Sequence, residues 1–323
     1  MRRVFDPRLL VPLGLAALFL CFPSRSAAGA ASGLRLAAEL LIPSLFPVGV
    51  LSGCLLRMGP ERAAERLAGR AVRRSFGVSG AGALPLVLGL LGGYPLGTLL
   101  VCSMYREGRL SREDARRLSG LCNHAGPAFL LGVAGTVLGA LRLGAALIGV
   151  QLLSALLTGL LLRRPPAGEQ AAPPPPSGQR GFLDALLQSI RETALSMVAL
   201  TGTLCFFHAG LACLEGLLPL SVLPPALRAC ITGFLELSGG ISALAGLSAR
   251  TAFPLAALLV GWGGCCVHLQ AASALRSAGL PVAPYLRAKL LHGALCLLLA
   301  AGFLFASRLL GNPELPFRFL PPS

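Results

Sequence analysis

Four short stretches set small, flexible or ionisable residues where an apolar chain would otherwise run on: "GGYPLG" (92–97), "NHAGP" (123–127), "LELSGG" (235–240) and "GWGGCC" (261–266). In each, Gly or Pro interrupts a helix and frees backbone N–H and C=O groups. The half-helix beyond each break presents an N-terminus whose partial positive charge suits an anion. Asn123 adds donors and acceptors, and His124 adds a ring that can be neutral or cationic. Glu236 is the one carboxylate deep in an apolar segment, where an ionisable side chain marks function by default. Its roles would be proton coupling, or coordination of a cation or a substrate hydroxyl. Together these groups could hold a small polar solute. The candidate binding residues are Gly92, Gly93, Tyr94, Pro95, Asn123, His124, Gly126, Glu236, Ser238, Gly239 and Gly240. Gly and Pro also occur in membrane helices for packing alone; four breaks in matched positions are what favour a site.

Other chemistry finds less support. His208, His268 and His292 each sit alone on apolar segments and read as hydrogen-bonded core residues, while Gln270, near His268, could line the same path as the breaks. "GVSG" (77–80) has the short pattern of a rhomboid serine nucleophile with His124 as its base. Ser79, however, directly follows the basic pair at the membrane edge, and no second motif supports a protease. There is no HExxH and no Walker loop, so the chain reads as a non-enzyme. The ten cysteines show no CxxC or Cys/His ligand spacing and read as small buried hydrophobes rather than metal ligands or disulfides. No cofactor is expected; a coupling H+ or Na+ stays open.

Such breaks need a membrane around them. The 323 residues are 54% hydrophobic and 13% charged, with a mean hydropathy of +0.74, more apolar surface than a soluble domain can hide. The formal charge of +15 lies mostly in arginine strips between apolar runs, which points to lipid headgroups and topology and away from nucleic acid. Apolar segments fall at 9–22, 34–56, 78–105, 119–140, 143–162, 195–215, 226–247, 254–275 and 290–310. Segment 78–105 is too long for one crossing, is broken at its centre, and has arginines on both flanks. It reads as a re-entrant hairpin dipping from the cytoplasm. Segment 226–247 reads as a second hairpin, entering from the outside, with a single span as the alternative. Residues 182–194 read as an interfacial amphipathic helix, the stripe Arg62, Arg66 and Arg70 as a helix on anionic lipid, and the 276–289 turn (Arg276, Arg287, Lys289) as cytoplasmic. The N-terminal stretch has the features of a secretory signal, but an uncleaved span better supplies the odd crossing.

The expected fold is therefore an all-α polytopic membrane protein, an inverted structural repeat with two re-entrant helical hairpins and broken transmembrane helices. Its parts are an N-terminal transmembrane helix (1–33), a first repeat (34–162), a Pro-rich cytoplasmic linker (163–181), a second, inverted repeat (182–310) and a tail (311–323).

The stretches "IPSLFPVGVLSGCLL" (42–56), "GLLGGYPLGTLLV" (89–101), "LCNHAGPAFLLGVAGTVLG" (121–139) and "GFLELSGGIS" (233–242) together resemble sporulation integral membrane proteins of the YlbJ type. That family carries the nucleoside-recognition, or Gate, domain and is similar to concentrative nucleoside transporters. The resemblance implies a multi-pass protein of the membrane derived from the mother cell around the forespore, its N-terminus cytoplasmic. It implies movement of dipicolinic acid, with a nucleoside-type solute or a non-transporting scaffold for spore envelope assembly as alternatives. The partners it implies are a small-molecule solute and the lipid bilayer, with no nucleic acid. A second copy of the chain, or other sporulation membrane proteins, stay open.

Overall fold

The structure, a computed structural model, describes residues 9–58, 64–163, 181–218 and 220–309. Arg62, most of the Pro-rich linker and the tail lie outside the described residues. Every regular element among those described is helical. Four helices are long and apolar enough to cross a bilayer, Leu141–Leu161, Phe182–Leu217, Ala249–Ser277 and Val282–Ala306. Two bent pairs, Leu10–Cys21 with Pro23–Leu41 (101°) and Glu65–Phe76 with Gly80–Gly92 (104°), are either broken spans or re-entrant segments. The chain is an all-α polytopic membrane protein.

Helix α1 (Leu10–Cys21) turns sharply into α2 (Pro23–Leu36), which continues through a π turn (Ala37–Leu41) into α3 (Ile42–Met58). The sequence reading put one crossing at 9–22 and a boundary near 33; the helix passes through that boundary without a break. Twelve residues reach about 18 Å, short of a hydrocarbon core of about 30 Å, so α1 alone does not span it. After the π turn Glu65–Gly69 come α4 (Arg70–Phe76), α5 (Ala83–Gly92) and α6 (Leu96–Arg106). Helix α7 (Arg112–Leu121) leads to a break, to a second π turn (Phe129–Ala134) with the short α8 (Gly135–Val137), and then to α9 (Leu141–Leu161).

The second half opens with α10 (Phe182–Leu217), a single helix. The amphipathic segment expected at 182–194 is thus its first turns, because no Gly or Pro separates it from the apolar run that follows. Helices α11 (Pro225–Leu235) and α12 (Leu237–Ser242) come next, then α13 (Ala249–Trp262), α14 (Gly264–Ser277) and α15 (Val282–Leu309). Each half therefore runs helix, hairpin, broken helix, helix.

Glycine explains how these elements approach one another. The α2–α3 helix runs antiparallel to α10, with Gly29 and Gly33 against His208 and Leu204 near one end and Gly49 and Gly53 against Thr193 and Ser189 near the other. Two small-xxx-small pairs let the backbones nearly touch, which is how helices associate where lipid offers no hydrophobic drive. At one end of the seam Arg57 Nη2 reaches Glu192 Oε2 at 2.5 Å. In the first hairpin, a Cβ on Gly89 would sit 3.0 Å from the Gly97 Cα, and both glycines face the Cys122 carbonyl. In the second, Gly240 rests on Gly233. Helices α11 and α12 thus fold back on each other, with Glu236 at the turn.

Candidate functional site

The two hairpin tips and both helix breaks converge on one cavity. Its volume is about 60 Å³, and its wall includes Tyr94 from the first hairpin, Glu236 and Ser238 from the second, Gly126 from the first broken helix, and Cys266 and Gln270 from the first turns of α14. Leu41 and Leu45 close it from the α2–α3 side. A second cavity of about 100 Å³ shares Leu45 and Tyr94 with the first and is lined by Gly92, Pro95, Gly49, Arg57, Glu192 and Thr193 among others. Tyr94 belongs to both walls.

Glu236 is 2% exposed and in extended conformation (φ −140°, ψ 118°), which turns its side chain back over the helix it precedes. Oε1 accepts from Ser238 N at 2.9 Å and Oε2 from Gly239 N at 2.6 Å. His208 Nε2 lies 3.2 Å from Oε2, within ion-pair reach. The carboxylate thus caps α12 and occupies the N–H groups that the sequence reading had offered to an anion.

The first break is satisfied the same way, from within the protein. Ala125 N donates to Gln151 Oε1 (3.1 Å), and Gln151 Nε2 donates back to Ala125 O (3.0 Å). His124 Nε2 contacts the Leu121 carbonyl, and Lys289 Nζ donates to Asn123 O at 2.9 Å. Backbone freed at membrane depth must find partners, and these side chains supply them. A cluster grows from that point. Lys289 Nζ also lies 3.3 Å from both Tyr94 Oη and His292 Nδ1. Tyr94 Oη donates to Val260 O, and Tyr285 Oη joins Asn123 Nδ2 (3.0 Å) to His268 Nδ1 (2.9 Å).

The expected residues consequently divide into groups. Tyr94, Gly126, Glu236 and Ser238 line the smaller cavity, and Gly92, Tyr94 and Pro95 line the larger. Asn123 and His124 line neither; they are 0% and 1% exposed and face α15. Gly93 (φ 74°) packs on Gly126, Gly239 gives its N–H to Glu236, and Gly240 packs on Gly233. Gln270 does line the path.

Sequence reasoning missed Lys289, which it put in a cytoplasmic turn. Helix α15 begins at Val282, so Lys289 lies two turns inside it and is 0% exposed. A signal was present: Tyr285, Lys289, His292 and Cys296 fall at steps of four, three and four, one face of an otherwise apolar helix. His208 was read as a core residue, and its carboxylate partner, nearly thirty positions on, cannot be inferred from spacing. Among the described residues no group of three His, Cys, Asp or Glu could hold a metal ion, and the buried Ser79 Oγ has no hydrogen-bond partner, His124 included.

No protein-family model and no solved structure matches the chain. Among curated proteins, it is 26% identical over 326 residues to the sporulation integral membrane protein YlbJ of Bacillus subtilis (strain 168), covering 87% of this chain and 78% of that one. By that alignment the chain is a homologue of the sporulation integral membrane protein YlbJ, distant in identity and matched over most of its length.

Proposed function

We propose that this protein moves a small anionic or polar aromatic solute across a membrane during endospore formation, with dipicolinate the first candidate. One observation carries the reading: two hairpin tips and two helix breaks meet at a single cavity walled by Tyr94, Gly126, Glu236, Ser238 and Gln270. Discontinuous helices opposed in this way are how many secondary transporters build a site that one repeat can open by rocking against the other. The repeated element order and the antiparallel seam of α2–α3 with α10 support an inverted repeat, 34–162 against 182–310. Homology to a sporulation membrane protein supports the setting, and we place the protein in the membrane derived from the mother cell, N-terminus in the cytoplasm.

Helix N-termini are not what would attract an anion here, since Glu236 already occupies the one at α12. The positive charge available is the Lys289 ammonium, directly behind the Tyr94 hydroxyl. The Tyr94 ring supplies an aromatic surface, and Ser238 and Gln270 supply hydrogen bonds. Glu236 shapes the second hairpin and stands in the wall, held by two N–H groups with His208 Nε2 3.2 Å away.

Uptake of labelled dipicolinate into vesicles containing only the purified protein tests the reading, with labelled uridine in parallel. Saturable dipicolinate uptake is expected. Uridine uptake alone would assign the site to a nucleoside-type solute, and uptake of neither would leave a membrane scaffold.

A further inference from the structure

The geometry points to Lys289 and His292 as a shared proton-binding site that couples solute movement to a proton; the inference rests on the transport reading above. An ammonium has three N–H donors, and Lys289 Nζ has three neutral acceptors in place: Asn123 O at 2.9 Å, and Tyr94 Oη and His292 Nδ1 at 3.3 Å. Among the described residues Lys289 has no carboxylate within ion-pair distance. The two ring nitrogens of His292 each face a backbone carbonyl as well, Nδ1 at 3.1 Å from Gly261 O and Nε2 at 3.2 Å from Gln151 O. That is the environment of an imidazolium, because a neutral ring has one N–H and can serve only one of the two.

Both side chains are thus seated as cations, 3.3 Å apart, in a buried site without an acid. Two like charges at that distance cannot both persist, so the pair holds one proton. With the proton on Lys289, His292 is neutral, donates from Nε2 to Gln151 O and accepts at Nδ1. When the proton crosses, the Nζ–H bond breaks, an Nδ1–H bond forms, and His292 donates to Gly261 O while Lys289 becomes an amine. The pair carries one positive charge either way. Release of the proton to water leaves it neutral.

The surrounding titratable groups are Tyr94 from the first hairpin, His124 from the break (ring centroid 4.9 Å from that of His292), Tyr285 and Cys296 on α15, and His268 on α14 beyond the Tyr285 hydroxyl. Helix α9 contributes Gln151, and α13 contributes the carbonyls of Val260 and Gly261. None is a carboxylate. Three buried atoms of this cluster, Asn123 Oδ1, His124 Nδ1 and His268 Nε2, have no hydrogen-bond partner. Tyr94 links the site to the solute, because its hydroxyl accepts from Lys289 while its ring walls both cavities. Loss of the proton leaves an amine with two N–H groups for three acceptors, so the longer contacts, that to Tyr94 Oη among them, weaken and the tip of the first hairpin loosens.

The test uses the full chain in vesicles, with dipicolinate or uridine as the probe. Exchange of labelled for unlabelled solute is measured without a gradient, and accumulation is measured under an imposed pH gradient. Wild-type accumulation should collapse when a protonophore is added. In Lys289→Met the ratio of gradient-driven accumulation to exchange should fall at least tenfold. Lys289→Met keeps the volume but leaves the Asn123 carbonyl without its donor, so thermal melting of this variant checks its fold, and His292→Gln serves with the same expectation if it fails. Wild type that exchanges solute but ignores the pH gradient overturns the proton site alone, as does a variant that folds and keeps the wild-type ratio. Wild type that exchanges neither probe overturns the transport reading and this inference together.

Discussion

Gly240 lies so close to Gly233 that a Cβ on the first would fall upon the Cα of the second. The contact holds the short arm of the second hairpin against the long one and so places Glu236 at the turn. A hydrogen atom is the only side chain that fits.

Gly240→Ala should therefore cost about 1–3 kcal/mol, the usual penalty of overpacking, and Gly97→Ala, which drives a methyl into the Cys122 carbonyl, at least as much. Gly149→Ala is the control, with nothing within 4 Å of its added methyl, and should stabilise α9 by roughly 0.5–1 kcal/mol. Thermal unfolding in detergent checks all three. Equal melting temperatures for Gly240→Ala and Gly149→Ala would mean that the hairpin arms do not pack as described.

Glu236→Gln keeps the shape of the side chain but leaves one acceptor oxygen for two N–H groups and removes the partner of His208. The expected loss is about 1–3 kcal/mol of stability and about tenfold in solute uptake, equivalent to roughly 1.4 kcal/mol. A double-mutant cycle with His208→Gln should show coupling of about 0.5–3 kcal/mol, as for residues in direct contact. Additive effects would remove the ion pair from the account.

Gln151 closes the first helix break by serving both the N–H and the C=O of Ala125. Gln151→Leu fits the space yet strands two buried backbone groups, and it should cost about 2–4 kcal/mol. Denaturant titration against wild type in the same detergent is the measurement. A loss below about 0.5 kcal/mol would show that water or another group takes over.

The first hairpin also makes a topological prediction. In a cysteine-free background, Arg74→Cys and Arg106→Cys should react with a membrane-impermeant thiol reagent from the same side. Labelling from opposite sides would convert the hairpin into an ordinary crossing and dissolve the cavity.

How far the sequence carries depends on the range of the interactions involved. Gly89–Gly97 and Gly233–Ser242 announce hairpins because Gly and Pro act on the local backbone, and both are found where composition put them. The bend after Cys21 and the continuity of Phe182–Leu217 went unread because hydropathy registers a run of apolar residues and is blind to its direction. Within the site, Tyr94, Gly126, Glu236 and Ser238 meet as their breaks suggested. Asn123 and His124 do not face the cavity, because the freed backbone needed partners and α9 and α15 provided them. Lys289 was misplaced for a related reason: charge next to arginine reads as a loop, and only the packed fold reveals a separation of 195 positions closed by its contact with Tyr94.

The glycine seam between α2–α3 and α10 fixes which part of the protein can stay still. Interlocked at both ends, with Arg57 and Glu192 clasped beside it, this pair behaves as a chassis of nearly the full membrane thickness. Sliding along it would force Leu204 or Thr193 into ridges where only hydrogen atoms now fit. Displacement is left to the hairpins and broken helices that lean on it, so alternating exposure here would come from their gating against a fixed post.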